Sequence, residues 1–268
     1  MDVGGPSQHD RKGLAAAFGA YIIWGFLPLY LILVQTVPAF EFVGWRIIWT
    51  LPLCLLIALF RKQGGELRAA LGNRRTVGWL ALSASLIAVN WVVYVWAIQT
   101  GEVYAASLGY YINPLVNVLL GTALLGERLT RPQWLAVGIA AVGVSLLAAG
   151  AVTTLWISLT LALTFGTYGL IRKRVVVGSV PGLTIESLLL LLPSIGVVWY
   201  YAQTQGSSYA VSTELSLSIM LGGVLTAVPL LMFAIAARKL PYSMLGFIQF
   251  LAPSIVFILG LTVFNKPL

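Results

Sequence analysis

The most demanding residue in this sequence is Arg46, set inside an apolar run eight residues past Pro38. On a helix that spacing carries it roughly 12 Å from the end of the run. A guanidinium near mid-bilayer costs ~2.5–3.5 kcal/mol on insertion scales, so it must face a bundle interior or a watery cavity. There it could bind a solute carboxylate, take part in a gating ion pair, or serve an internal structural pair. Glu186 lies five residues past Pro181 in a comparable run, about 7–8 Å from the other end. The difference in height disfavours a direct Arg46–Glu186 pair. Glu186 is then either a proton-coupling carboxylate or an interfacial one wetted by headgroups, and its position favours the interface. Glu41 is expected to be solvated.

A polar face recurs on two runs. Tyr110, Asn113 or Pro114, Asn117 and Gly121 follow at helical spacing and share one side. Gln249, Pro253 and Gly260 repeat that pattern 139 residues later. Proline removes a backbone donor and can open a helix, so Pro114 and Pro253 are expected helix breaks. Asn90 and Tyr94 form a second polar pair at i,i+4. These residues line a central cavity or bridge helices by hydrogen bonds worth ~0.6 kcal/mol each. Ala141, Ser145 and Ala149 form a small-residue ridge expected to pack on another helix.

No enzymatic constellation can be assembled. His9 is the only histidine, and the two aspartates, Asp2 and Asp10, lie with it in the N-terminal tail. No catalytic residue, metal ligand set or Walker loop follows, and no cofactor is expected. Cys54, the only cysteine, reads as an apolar filler.

The elements that carry these residues are membrane helices. The chain is 59% hydrophobic and 9% charged, with a mean hydropathy of +0.94. Nine apolar runs stand out: 14–34, 42–60, 77–98, 103–125, 134–152, 155–171, 183–201, 215–237 and 242–264. Each is near the ~20 residues that a helix needs to span the hydrocarbon. The fold class is therefore all-α, a polytopic membrane bundle. Fourteen of the sixteen Lys and Arg fall in every second gap: Arg11 and Lys12, the 61–75 segment, Arg128 and Arg131, Arg172 to Arg174, and Arg238 with Lys239. This asymmetry places the N-terminus in the cytoplasm and the end of this chain outside. It also accounts for the net charge of +8 without nucleic acid; the partners are lipid and a small solute, and a homodimer is a permitted assembly.

The bundle is internally repeated. Shifted by 139 residues, 92–129 overlays 231–268, with Ala97/Ala236, Pro114/Pro253, Gly121/Gly260 and Leu129/Leu268 identical. Phe18-Gly19-x-Tyr21 answers to Phe165-Gly166-x-Tyr168, and Val37-Pro38 to Val180-Pro181. Five helices separate the copies, so the second enters the membrane from the opposite side. The expected units are 1–152, helices one to five, and 153–268, an inverted and incomplete second copy.

Three stretches carry a family resemblance: Ala106-Ser-Leu-Gly-Tyr-Tyr-Ile-Asn-Pro-Leu through Gly126-Glu-Arg-Leu129, Phe165-Gly-Thr-Tyr-Gly-Leu-Ile-Arg-Lys-Arg174, and Thr226-Ala-Val-Pro-Leu-Leu on to Leu245-Gly-Phe-Ile-Gln-Phe-Leu-Ala-Pro253. They resemble the RarD group of EamA-type permeases in the drug/metabolite transporter superfamily. The resemblance implies a ten-helix, two-repeat permease of the bacterial cytoplasmic membrane, loosely associated with chloramphenicol sensitivity. The family's Gly-Glu-Pro-Leu reads Asn265-Lys266-Pro267-Leu268 here, and the tenth helix is missing. The expected function is secondary transport of a small amphipathic or aromatic metabolite or drug by alternating access. The alternatives are a pore-forming or structural subunit, a transport-incompetent truncated permease, and a membrane enzyme acting on lipid-linked substrates. The last would need clustered acids or histidines that this sequence lacks.

Overall fold

A computed structural model gives the fold, described for residues 8–150 and 152–263. Residues 264–268 lie outside that range, so Lys266 and the end of the ninth run are not placed. The helices are α1 Gln8–Leu31, α2 Ala39–Phe60, α3 Gly64–Gly72, α4 Arg74–Gln99, α5 Val103–Leu125, α6 Arg131–Ala149, α7 Leu155–Arg174, α8 Ser179–Thr204, α9 Thr213–Lys239, α10 Tyr242–Gln249 and α11 Leu251–Thr262. Eight of these segments are long and apolar enough to cross a membrane. The protein is a multi-pass helical membrane protein. The ninth run is broken at Phe250 into α10 and α11, so it is not one full span.

Local chemistry sets the helix ends. Asn73 opens α4 by accepting the Arg75 and Thr76 amides, both at 3.1 Å, and Ser212 opens α9 by accepting the Leu215 amide at 3.1 Å, as N-caps do. Gly126 closes α5 in the left-handed region at φ 68°, where the Glu127 amide returns to the Gly121 carbonyl at 3.0 Å. The short amphipathic α3 was not legible as a helix in the basic 61–76 segment. It lies against α4 and α8.

The two prolines expected to break helices behave differently. Pro253 lies three residues past the interruption at Phe250, while α5 runs through Pro114 without a break. Helices α7 and α10 pack on α5, whereas α11 rests chiefly on α1.

Helix α2 packs between α8 and α9, α1 against α9 and α11, α7 against α4 and α5, and α5 against α10. An aromatic core joins α1, α7 and α9 through Tyr21, Trp24, Phe165, Tyr168 and Phe233, with Phe233 stacked on Tyr168 at 6.0 Å and tilted on Phe165 at 5.0 Å. Trp24 packs within this core against Tyr21, Phe165 and Phe233. Helix α6 touches mainly α5 and has no buried residue. Its Ser145 and Ala149 are exposed and only Ala141 of the expected small-residue ridge is half-buried, so the ridge is not packed along its length on another helix.

The basic residues at one end are not free loop charges. Lys173 donates to the carbonyls of Ala237 and Leu240 at the end of α9, at 3.0 and 2.5 Å. Arg174 donates to the Leu124 carbonyl at the end of α5, at 2.5 Å, and Arg238 to the Val177 carbonyl. Cations at helix C-termini satisfy the last carbonyls and oppose the helix dipole. This end, where α7 finishes and α8 begins, is called the basic end below.

Candidate functional site

Four charged side chains are buried among the described residues: Glu41, Arg46, Arg172 and Glu186. They form three stations at different heights, and only one is an ion pair.

Toward the far end, Arg46 projects from α2 and is 8% exposed. Its Nε donates to Thr226 Oγ1 of α9 at 2.8 Å. Its guanidinium lies 5.0 Å from the Trp91 ring centroid and 5.5 Å from that of Phe42. The phenols of Tyr30, Tyr110 and Tyr94 are close enough to interact with it electrostatically. Room for this side chain comes from Gly222 on α9. A Cβ there would sit 2.7 Å from the Tyr30 hydroxyl and 3.1 Å from Arg46 Cγ. The two ring contacts supply roughly 0.5–2 kcal/mol each, which offsets much of the burial cost without neutralising the charge. No carboxylate pairs with Arg46 among the described residues.

Toward the basic end, Glu186 of α8 is 1% exposed and pairs with Arg172 of α7, Oε1 to Nη1 at 3.6 Å. Ser83 of α4 donates to the same Oε1 at 2.5 Å. Glu186 is thus fully enclosed, which corrects the interfacial, headgroup-wetted reading of its position. Its partner is Arg172, not Arg46. Arg172 Nη2 also donates to the Ser179 carbonyl at 3.1 Å. The side chain turns inward over Gly182, where any Cβ would collide with the guanidinium. Glu186 Oε2, Arg172 Nε and Arg172 Nη1 have no hydrogen-bond partner among the described residues.

The third station is Glu41, expected to be solvated and found with no exposure. It accepts from the Ser208 amide at 2.9 Å, the Ser208 hydroxyl at 2.7 Å and Trp45 Nε1 at 3.2 Å. It fastens the α8–α9 loop over the far end of α2, where Trp45 stacks on Tyr209 at 4.5 Å.

Between the Arg46 and Glu186 stations lies a pocket lined by Ile47, Thr50, Ile87, Trp91, Glu186 and Ser187 among others. It holds about 10 Å³, room for one water. The spacious central cavity expected from the repeat is therefore closed down here. Trp91 belongs to both sites, with Arg46 against its ring and the pocket along it.

The other expected cavity residues divide by their bonds. Asn117 Nδ2 donates to Gln249 Oε1 at 2.7 Å, and the Tyr21 hydroxyl reaches the same oxygen at 3.4 Å. This bridge ties α5 to α10 where Gly246 brings them together; a Cβ at Gly246 would sit 2.8 Å from the Pro114 carbonyl. Asn90 spends its amide on α7, donating to the Leu161 carbonyl at 2.8 Å and Thr164 Oγ1 at 3.0 Å. Tyr94 and Tyr110 meet edge to face at 5.5 Å. Asn113, 1% exposed, leaves its side-chain oxygen without a partner among the described residues.

Sequence reasoning gave Glu127 no role. Its carboxylate accepts the Tyr242 amide at 2.6 Å, and the Ser243 amide and hydroxyl at 2.8 and 2.7 Å, so it caps α10 from the other half of the chain. Partial burial opposes its ionisation, but those donors, with Lys173 nearby, win and hold its pKa below the usual carboxylate range. Glu66 of α3 caps α8 in the same manner, accepting the Gly178 amide at 2.6 Å.

The model of the EamA-like transporter family matches residues 11–149 of this chain. The chain belongs to that family. Within it, the chain stands with the RarD proteins. It is 42% identical to Protein RarD of Streptomyces exfoliatus, over 97% of this chain and 82% of the relative. It is 37% identical to Protein RarD of Escherichia coli, over 97% and 88%. It is 44% identical to an uncharacterized transporter of Pseudomonas aeruginosa, over 96% and 87%. A solved crystal structure at 20% identity superposes with a TM-score of 0.73, covering 96% of this chain and 90% of that one, and shares the fold. This EamA-like protein is a membrane permease, and its buried stations belong to a transport protein.

Proposed function

We propose that this permease moves a small amphipathic or aromatic solute by alternating access between two inverted halves, 1–152 and 153–268. The packing pairs carry the reading. Under the repeat, α1 answers to α7, α2 to α8, α4 to α9 and α5 to α10 with α11. The α1–α9 contact then has its mirror in α7–α4, and the α5–α7 contact in α10 and α11 on α1. The α2–α8 and α5–α10 contacts each join a helix to its own counterpart. Two oppositely oriented units that share such contacts can exchange conformations, and the exchange moves the opening from one face to the other.

In this reading the conformation described is an occluded one. Glu41 and Tyr209 close the far end, while Arg172, Glu186 and the Glu66 and Glu127 caps close the basic end. The solute occupies the space around Arg46, Trp91, Tyr94 and Tyr110 once the pocket widens. Asn113 lies one turn along α5 from Tyr110, and the Asn117–Gln249 bridge and Asn90 hold the walls. Glu186 is the proton-coupling candidate, because loss of its charge would release Arg172. The charge asymmetry supports a basic end that faces the cytoplasm of a bacterial cell.

The test is a cysteine at Ser187, which lines the pocket, with Cys54 replaced. A membrane-impermeant thiol reagent applied to either side of sealed vesicles should react from both faces, with solute shifting the balance. Reaction from one face only, whatever solute is added, would contradict alternating access.

A further inference from the structure

The chemical class of the solute can be narrowed from the way this fold treats its two buried arginines. Arg172 is neutralised: Glu186 stands 3.6 Å away. Arg46 has no such partner. Its Nε is taken by Thr226, and neither Nη nitrogen has a protein acceptor among the described residues. Glu41 is five residues back on the same helix, about 140° round it, and its oxygens are held by Trp45 and Ser208. The side chain is nonetheless held in one place by the Thr226 bond and by the rings of Trp91 and Phe42. A charge needed only for packing would be neutralised as Arg172 is, or replaced by an apolar side chain.

The free edge of Arg46 presents two parallel N–H groups, the fork that matches a carboxylate. Around it stand aromatic side chains that are only half-buried, Trp91, Tyr94 and Tyr110. They offer flat apolar surface beside the fork. With one unpaired cation, the site suits a single negative charge; a phosphate dianion would leave a buried charge uncompensated.

We propose that Arg46 is the anion-binding residue of the permease, and that the solute is a small aromatic monocarboxylate bound through the Arg46 fork against Trp91. This rests on the permease reading above and adds the charge of the solute. The anion substitutes for the absent carboxylate, so the solute completes an ion pair that the protein leaves open. It also explains why only the Nε of Arg46 is hydrogen-bonded by the protein: the other edge of the guanidinium is left for the solute.

The experiment uses the purified full chain in nanodiscs and matched acid–amide pairs: benzoate and benzamide, phenylacetate and phenylacetamide, indole-3-acetate and its amide. Binding is read by thermal stabilisation and by Trp fluorescence. At least one acid should bind ten-fold or more tighter than its amide. Arg46→Met should abolish that preference, so that the acid binds no tighter than its amide. Should Arg46→Met not fold, Arg46→Lys keeps the charge but loses the fork, and acid preference should fall several-fold. Amides binding as well as their acids, no acid binding at all, or an acid preference that survives Arg46→Met would each overturn the proposal. Amide selectivity together with transport of the amide would refute the anion class and leave the permease reading standing. Acid-selective binding without transport of any bound acid would do the reverse.

Discussion

Breaking the Arg172–Glu186 pair should be far more damaging than removing it whole. Both side chains are at most 2% exposed, and the charges are 3.6 Å apart. At an effective dielectric of about 20, that separation corresponds to about 5 kcal/mol of attraction. Glu186→Gln leaves a guanidinium that cannot lose its proton, with only neutral acceptors, the Ser179 carbonyl and the new amide oxygen, beside it. The expected cost is ~3–5 kcal/mol. For a chain of this size that is roughly 6–20 °C in unfolding temperature. Arg172→Met should cost less, because a stranded carboxyl can take up a proton and become neutral. The double variant Arg172→Met/Glu186→Gln should recover most of the loss, giving a coupling of at least ~2 kcal/mol. Gly182→Ala should mimic the single variants, since a Cβ there displaces the Arg172 guanidinium. The assay is thermal unfolding of the five purified proteins, the parent and the four variants, in one detergent. If the double variant is as unstable as the sum of the singles, the pair is not the unit described here.

Further predictions concern the other stations. Arg46→Lys should impair transport at unchanged expression, because the planar fork is lost; Arg46→Leu with normal flux would end its functional role. Glu186→Gln should abolish the pH dependence of flux but leave solute exchange, and an unchanged pH profile would confine Glu186 to structure. Glu127→Ala exposes the α10 amides and should cost ~1–2 kcal/mol. Because folding lowers the Glu127 pKa, its contribution is complete above the unfolded carboxylate value and disappears as pH falls through the folded one, so Glu127→Ala and the parent should converge in acid. Arg68→Cys on exposed α3 should react with impermeant label only from the cytoplasmic face, and labelling of intact cells from outside would reverse the orientation.

The spans were legible because each is a long apolar run with few charges, and hydropathy needs no partner to be read. That Arg46 faces the bundle interior followed from the cost of a charge inside an apolar run. The partner of Glu186 did not, because Arg172 sits in the run Arg172-Lys173-Arg174 that reads as a basic loop. Only the turn into α8 over Gly182 folds that one charge inward while its two neighbours cap α9 and α5. Glu41 was misplaced for the same reason: burial by the α8–α9 loop is a long-range event, 167 residues away in the chain. The shared polar face of α5 and α10 was readable from spacing, but not that Asn117 and Gln249 would bond to each other. Pro114 and Pro253 look equivalent in sequence, yet α5 is continuous through Pro114 while the run that holds Pro253 is interrupted at Phe250.

The central claim is that this permease is a carrier and not a pore, and counterflow tests it most directly. Proteoliposomes would be loaded with an unlabelled acid that binds the purified protein, then diluted into a trace of the same acid carrying label. Alternating access predicts a transient accumulation of label above its equilibrium level, abolished by Arg46→Met. Label that enters at the same rate and to the same level whether or not the vesicles are preloaded would contradict the account.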